Sequence, residues 1–150
     1  MIEINYVKGD ATKPIGEGNK IIPHICNDEK KWGAGFVMAI SKKWYAPELA
    51  YRKKKEYKLG TVDFIRVEDD IIIANMIAQK GVTYDEQGNP PIRYNALRTA
   101  LIQVNNHAIL TNSTIHAPRF GAGLAGGDWN VIEQIIKDVM TVPVTIYDFN

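Results

Sequence analysis

The amino-acid sequence predicts an α/β domain with a mixed sheet, and three observations carry that prediction. Apolar, β-branched runs of strand length alternate along the chain with segments of helical period. Two of the strand-to-helix junctions, one around Gly33 and Gly35 and one holding Gly121, Gly123, Gly126 and Gly127, are rich in glycine. One pair of strand runs, residues 61–67 and 71–77, is separated only by Glu68, Asp69 and Asp70, which reads as a hairpin and makes the sheet mixed rather than purely parallel. Loops at strand ends in such a sheet place a ligand along one of its edges.

Size and composition narrow the class. At 150 residues the chain has the length of one domain with a real core. An apolar share of 45% and a charged share of 23% are those of an ordinary globular protein, and a net charge of +1 gives no global field for nucleic acid or a membrane surface. The single cysteine, Cys26, excludes an internal disulfide and a multi-cysteine zinc site, which fits a reducing compartment. The polar N-terminal stretch is unlike a signal peptide and no apolar run has bilayer length, so the expected location is the cytoplasm.

Taken in order, residues 2–7 alternate as a strand, and Gly9, Asp10, Ala11 and Thr12 form the turn after it. Asp10 at such a turn caps its own backbone or, at the carboxyl edge of a sheet, accepts from a ligand amino group. Residues 20–26 are apolar enough for a strand buried on both faces, and Pro23 within it predicts a bulge or a strand end nearby. Residues 27–31 are a polar loop, followed by the small-residue loop 32–36, a helix over 37–44 and a further helical segment after Pro47. The basic run 51–58, with Tyr51 and Tyr57 near its ends, reads as a solvated helix face in preference to a nucleic-acid contact. After the hairpin, residues 79–91 contain glycine, acidic residues and two prolines and form a long surface loop. Ala96, Leu97, Ala100, Leu101 and Val104 then mark a helix, residues 113–116 a strand, and residues 142–149 a closing strand.

The stretch 118–129 is the centre of the chain. It follows a β-branched run and precedes Val131, Ile132, Ile135, Ile136 and Val139, which share one helical face. Four glycines within seven residues leave the backbone able to take positive φ and to approach a ligand closely. The free N–H groups and the positive dipole end of the following helix make such a loop an anion site, suited above all to a diphosphate. The competing explanation is tight strand–helix packing with no ligand.

Val7 to Asp10, then His24 to Asn27 with Trp32 to Phe36, then Pro118 to Leu124, in this order, resemble the macrodomain family of ADP-ribose-binding modules. The resemblance covers essentially the whole chain, and it is nearest to the branch of ADP-ribose 1''-phosphate phosphatases and ADP-ribosyl-glutamate hydrolases. It implies a three-layer α/β/α fold with a six-stranded mixed sheet, and residues 1–150 as a single macrodomain. It also implies that Asp10 accepts from the adenine amino group and that Ala11 offers a backbone N–H. Asn27 and the loop of Trp32, Gly33, Ala34, Gly35 and Phe36 would hold the distal ribose and one phosphate. Gly121, Ala122, Gly123, Leu124, Ala125 and Gly126 would wrap the diphosphate, with Arg119 beside them, and Tyr147 or Phe149 would lie near the adenine. The implied partner is ADP-ribose or an ADP-ribosylated substrate, nucleic acid entering only as such a substrate, with no membrane role and no cofactor.

The sequence departs from that branch where its chemistry sits. Its lysine at the end of the strand after residue 71 falls on Gln79 or, with a one-residue shift, on Lys80, and its acid falls on Ala125. The catalytic candidates are therefore His24, Asn27 and Lys80. His24 is a base if it projects toward the distal ribose and a core histidine otherwise. His116, within a strand, and His107, on a helix turned from the loops, have weaker claims. Asp128 is expected to cap the helix after it, because a carboxylate would repel a diphosphate. No His, Cys, Asp or Glu cluster has metal-ligand spacing, so no metal is expected. The function expected is binding of ADP-ribose with hydrolysis of a derivative, the 1''-phosphate or an adduct on protein or DNA. The alternative is a reader without turnover.

Overall fold

The computed structural model describes residues 2–149. Its elements are β1 (Ile4–Lys8), β2 (Asn19–Asn27), α1 (Phe36–Lys43), α2 (Ala46–Lys53), β3 (Val62–Glu68), β4 (Ile71–Gln79), α3 (Tyr94–Thr111), β5 (Ser113–Ala117), α4 (Trp129–Val139) and β6 (Val144–Asp148). The six strands lie in the order β1-β6-β5-β2-β4-β3. Only the β3–β4 hairpin is antiparallel, so the predicted mixed sheet is the one observed.

Alternation along the strands divides the core into two. Ile21 and Ile22 are successive and both fully buried, yet Ile21 joins a cluster with Leu97, Leu101, Ile132 and Ile136 while Ile22 joins one with Val37, Ile40 and Tyr51. Helices α3 and α4 thus cover one face and α1 and α2 the other, which makes three layers. A fully buried isoleucine contributes about 1.5–3 kcal/mol, so the helix faces predicted from spacing are what hold the layers on the sheet. Helix α3 ends where Asn112 takes a left-handed conformation, φ 53°, a residue type that tolerates it.

Two expectations change. The basic run 51–58 is not one helix face: α2 ends at Lys53, Lys54 is extended, and Tyr51 is fully buried. An aromatic at that point turns inward because the small core under α1 and α2 needs its volume. Pro23 neither bulges nor ends its strand, for β2 continues to Asn27 against β4. The bulge lies at Cys26 and Asn27, where Gln79 in place of Ala78 faces Asn27. On the other side the β2–β5 ladder stops at Ile21 opposite Ile115, two residues before Pro23, so the two strands part toward their carboxyl ends.

That parting is a topological switch point: β2 leads toward β4 and β3, whereas β5 leads toward β6 and β1. A crevice must open there, outside the carboxyl ends of the strands. The ends of β1, β6, β5, β2 and β4 all lie on this edge, because those strands run parallel. Among the described residues no helix is long and apolar enough to cross a membrane.

Candidate functional site

A cavity of about 560 Å³ fills the crevice. One wall is the end of β2 with the loop that follows it, from His24 to Asn27 and Trp32 to Val37. The opposite wall is Pro118, Arg119, Phe120, Gly121, Gly123, Leu124 and Ala125, and Lys31, Gln79 and Val82 complete the rim. The two glycine loops meet across it: a Cβ on Gly35, whose φ is +81°, would lie 3.2 Å from Leu124 Cδ1.

The glycines of the second loop divide by role. A Cβ on Gly121 would come within 2.7 Å of Ile92, one on Gly126 within 2.6 Å of Tyr84, and one on Gly127 within 2.6 Å of the Gly121 carbonyl oxygen. These three are glycine because other parts of the chain pack on them, and Gly127 N–H donates to Gly121 O at 2.7 Å to close the turn. Gly123 differs, as does Gly33 in the first loop. Each lines the cavity, and a Cβ on either would meet nothing within 4 Å. The packing explanation therefore holds for Gly121, Gly126 and Gly127, whereas Gly33 and Gly123 stand open to the cavity.

The same loops carry unused donors. Among the described residues, the N–H groups of Gly33, Ala34 and Gly35 on one wall and of Gly123, Leu124 and Ala125 on the other find no backbone acceptor in the protein. Neither α1 nor α4 has an acidic residue in its first turn, and the one carboxylate at either N-terminus, Asp128, is the cap of α4. The wall contains no aspartate or glutamate, and its charged residues are Lys31 and Arg119. Two convergent sets of amides in a cavity free of carboxylates are what an anionic linker needs.

Side chains expected to touch a ligand are in part engaged elsewhere. Asn27 lines the cavity, but its Oδ1 accepts from Glu29 N–H at 2.9 Å and Lys31 N–H at 3.1 Å, and its Nδ2 donates to Lys31 O at 2.7 Å. These bonds shape the loop, because a polar strand end must satisfy the turn that follows. Arg119 reaches the wall, yet its guanidinium is bound twice by Asp148, at 2.6 and 3.1 Å, and lies over the Tyr6 and Trp129 rings. That pairing holds the Asp148 carboxyl below the usual carboxylate range. Trp32 is buried, and its Nε1–H donates to Ser41 Oγ at 2.7 Å, so it forms a wall without filling the cavity.

Lys80 stands apart from the other catalytic candidates. It is exposed and absent from the cavity wall, where Gln79 stands, because successive residues at a strand end point to opposite sides. Gln79 Nε2–H donates to Gly81 O at 2.9 Å, which fixes its carboxamide. The one-residue shift that would make Lys80 the strand-end lysine is not the one the fold adopts. Ala122 and Gly126 are likewise outside the wall, Gly126 beneath Tyr84 and Pro90. Asp10, Ala11 and Phe149 also lie outside it, on the same sheet edge at the ends of β1 and β6. Asp10 Oδ1 accepts from Thr12 N–H and from the Thr12 hydroxyl, which is the capping role, and leaves Oδ2 without a protein partner.

The histidines separate cleanly. His24 lines the cavity but is buried, and burial lowers its pKa to about 4, so the ring is neutral. His116 is a core residue between Thr114 Oγ1 and Tyr147 Oη, and His107 stacks on Phe64 with ring centroids 3.9 Å apart, away from the loops. Asp128 caps α4, accepting from Asn130 N–H at 2.9 Å. Among the described residues no three His, Cys, Asp or Glu side chains gather as metal ligands.

Two residues around the site, Tyr51 and Asn75, were not singled out from sequence, and Gln79 was named there only as the place of the branch's lysine. Gln79 stands opposite Asn27 at the neighbouring strand end, Tyr51 Oη donates to Asn27 O at 2.7 Å, and Asn75 bonds His24. Asn75 did leave a signal: it is the only polar residue in the otherwise apolar stretch from Ile71 to Ala78. A polar group in such a run must find a partner.

The fold is thus an α/β domain with free glycine-loop amides around a switch-point cavity. Comparison with known proteins narrows the class. No family model matches the chain. A macrodomain protein from Streptomyces coelicolor is 43% identical, with a TM-score of 0.86 over 99% of this chain and 100% of that one. The chain therefore belongs to the macrodomain family. A protein of unknown function from Bacteroides thetaiotaomicron is 51% identical, with a TM-score of 0.96 over 98% of both chains. The ADP-ribose 1''-phosphate phosphatase of Candida albicans is 24% identical over 157 residues, 96% of this chain and 98% of that protein. The mouse chromodomain-helicase-DNA-binding protein 1-like is 28% identical, and the chain spans 18% of its length.

Proposed function

We propose that the chain binds ADP-ribose in the β2–β5 crevice, its diphosphate held by the two sets of free amides, and that it hydrolyses an ADP-ribose derivative there. The observation that carries the reading is that Gly33 to Gly35 and Gly123 to Ala125, with amides unpaired among the described residues, line one cavity without a carboxylate in its wall. The relation to proteins named ADP-ribose 1''-phosphate phosphatase supports the 1''-phosphate as a substrate, and ADP-ribosyl adducts on protein or DNA are the other candidates. Hydrolysis breaks the bond between the distal sugar and its substituent, or the phosphate ester, with water as the incoming group. No metal enters this reading.

One observation favours a second reading, a reader without turnover. The wall offers no carboxylate to take a proton from water, and by the family resemblance Ala125 stands where the branch has its acid. Titration calorimetry with ADP-ribose tests binding. Incubation with ADP-ribose 1''-phosphate, ADP-ribosylated protein and ADP-ribosylated DNA, with and without EDTA, separates hydrolase from reader. Turnover of any one substrate, unchanged by EDTA, supports the first reading; binding with no turnover supports the second.

A further inference from the structure

Among the described residues one buried side-chain nitrogen or oxygen has no hydrogen-bond partner, and it is Nδ1 of His24, itself a residue of the cavity wall. Its other nitrogen, Nε2, lies 2.5 Å from Asn75 Oδ1. The orientation of that carboxamide is set from the far side, because Asn75 Nδ2–H donates to the Pro47 carbonyl at 3.1 Å. Turning the amide over would oppose two oxygens at Pro47, so the atom facing His24 is an acceptor. Nε2 must then carry the ring proton. In a neutral imidazole the remaining nitrogen is a bare lone pair.

We propose that Asn75 is a positioning residue that locks His24 as the Nε2–H tautomer, so that Nδ1 is held as an acceptor for an O–H donor of the sugar beyond the diphosphate. The proposal rests on the ADP-ribose reading and adds the residue that sets its chemistry. A buried acceptor without a donor is unfavourable, and native proteins keep such groups where a ligand satisfies them. The Trp32 and Phe36 rings pack 5.5 and 6.2 Å from the imidazole, and because His24 belongs to the cavity wall the donor would come from the cavity. The surroundings also keep the ring uncharged, since an imidazolium would have a proton on Nδ1 and could accept nothing.

Long-range proton–nitrogen NMR correlation on the nitrogen-15-labelled chain reports which ring nitrogen bears the proton. The free protein should show Nε2–H at neutral pH. Saturation with ADP-ribose should move the Nδ1 resonance toward the hydrogen-bonded range, whereas ADP, which lacks the distal sugar, should leave it in place. Asn75→Leu should mix the tautomers and weaken ADP-ribose about tenfold while leaving ADP affinity unchanged. A proton on Nδ1 in the free wild type overturns the lock, as does an Nδ1 resonance that ADP-ribose does not move. Equal weakening of ADP and ADP-ribose in Asn75→Leu also overturns it. The tautomer of the free wild type needs neither ligand nor variant. Failure of ADP-ribose to bind at all is thus separable and counts against the functional reading.

Discussion

The Tyr51 hydroxyl lies between both oxygens of Asn27, 2.7 Å from the backbone oxygen and 2.9 Å from Oδ1. A core aromatic on α2 thereby holds the strand end from which the first glycine loop departs. Burial pushes the Tyr51 phenol well above its ordinary pKa, so it stays a donor at any working pH. Tyr51→Phe removes that donor and leaves the buried backbone oxygen unpaired, at a cost of about 1–2 kcal/mol. Urea unfolding should show the loss, and calorimetry a severalfold weaker ADP-ribose complex. Unchanged affinity would mean that the loop keeps its shape without the tyrosine.

Gly123→Glu and Gly33→Glu should fold normally and lose ADP-ribose affinity by at least about a hundredfold. Both positions open onto the cavity without a steric neighbour, and a carboxylate there repels a diphosphate at close range. Melting temperatures near wild type with no heat of binding are the expected pair of results. Normal affinity in both variants places the anion elsewhere.

Gly127→Ala should show the opposite behaviour. Its added carbon would press on the Gly121 carbonyl oxygen, which is backbone and cannot turn aside. A loss of stability of about 2 kcal/mol is expected from overpacking of this kind, against no measurable loss for Gly123→Ala. Equal melting temperatures for the two alanine variants would contradict the division of roles within the loop.

Lys80→Ala should leave ADP-ribose affinity and any turnover within about twofold of wild type, because the side chain is exposed outside the cavity. Gln79→Ala should weaken binding, since Gln79 stands in the wall. Loss of turnover in Lys80→Ala alone, with Gln79→Ala unaffected, would restore the lysine to the reaction.

Stability should fall on acidification before carboxylates titrate. Burial lowers His24 to a pKa of about 4, and burial with the nearby Lys20 charge lowers His116 to about 4, against about 6.5 in an unfolded chain. Between these values the unfolded state binds more protons, so stability is complete above about pH 6.5 and declines toward pH 4. His24 alone accounts for about 3 kcal/mol across that window. The urea midpoint between pH 6.5 and 4.5 reads it, and a flat profile would mean that His24 has access to solvent.

Local pattern was enough for much of this protein. Alternation in residues 61–67, the apolar run 71–77 and the helical spacing of Ile132, Ile135 and Ile136 gave strands and helices in their observed order, and the short acidic turn at Asp69 made the sheet mixed. The Asp128 cap was legible because its partner, Asn130, is two residues away. The glycine loops were legible as loops, since glycine acts through its own φ.

Tertiary structure decided what those loops and strand ends present. Tyr51 meets Asn27 across 24 residues and Asn75 meets His24 across 51, separations over which no periodicity carries information. Whether Gly121 or Gly123 has open space beside it depends on Ile92, Ile25 and Ile132, and whether Gln79 or Lys80 enters the cavity depends on a bulge beside Asn27. Sequence fixes the backbone conformations open to each segment. The direction of a side chain and the partner of a polar atom follow only when distant segments compete for the same space.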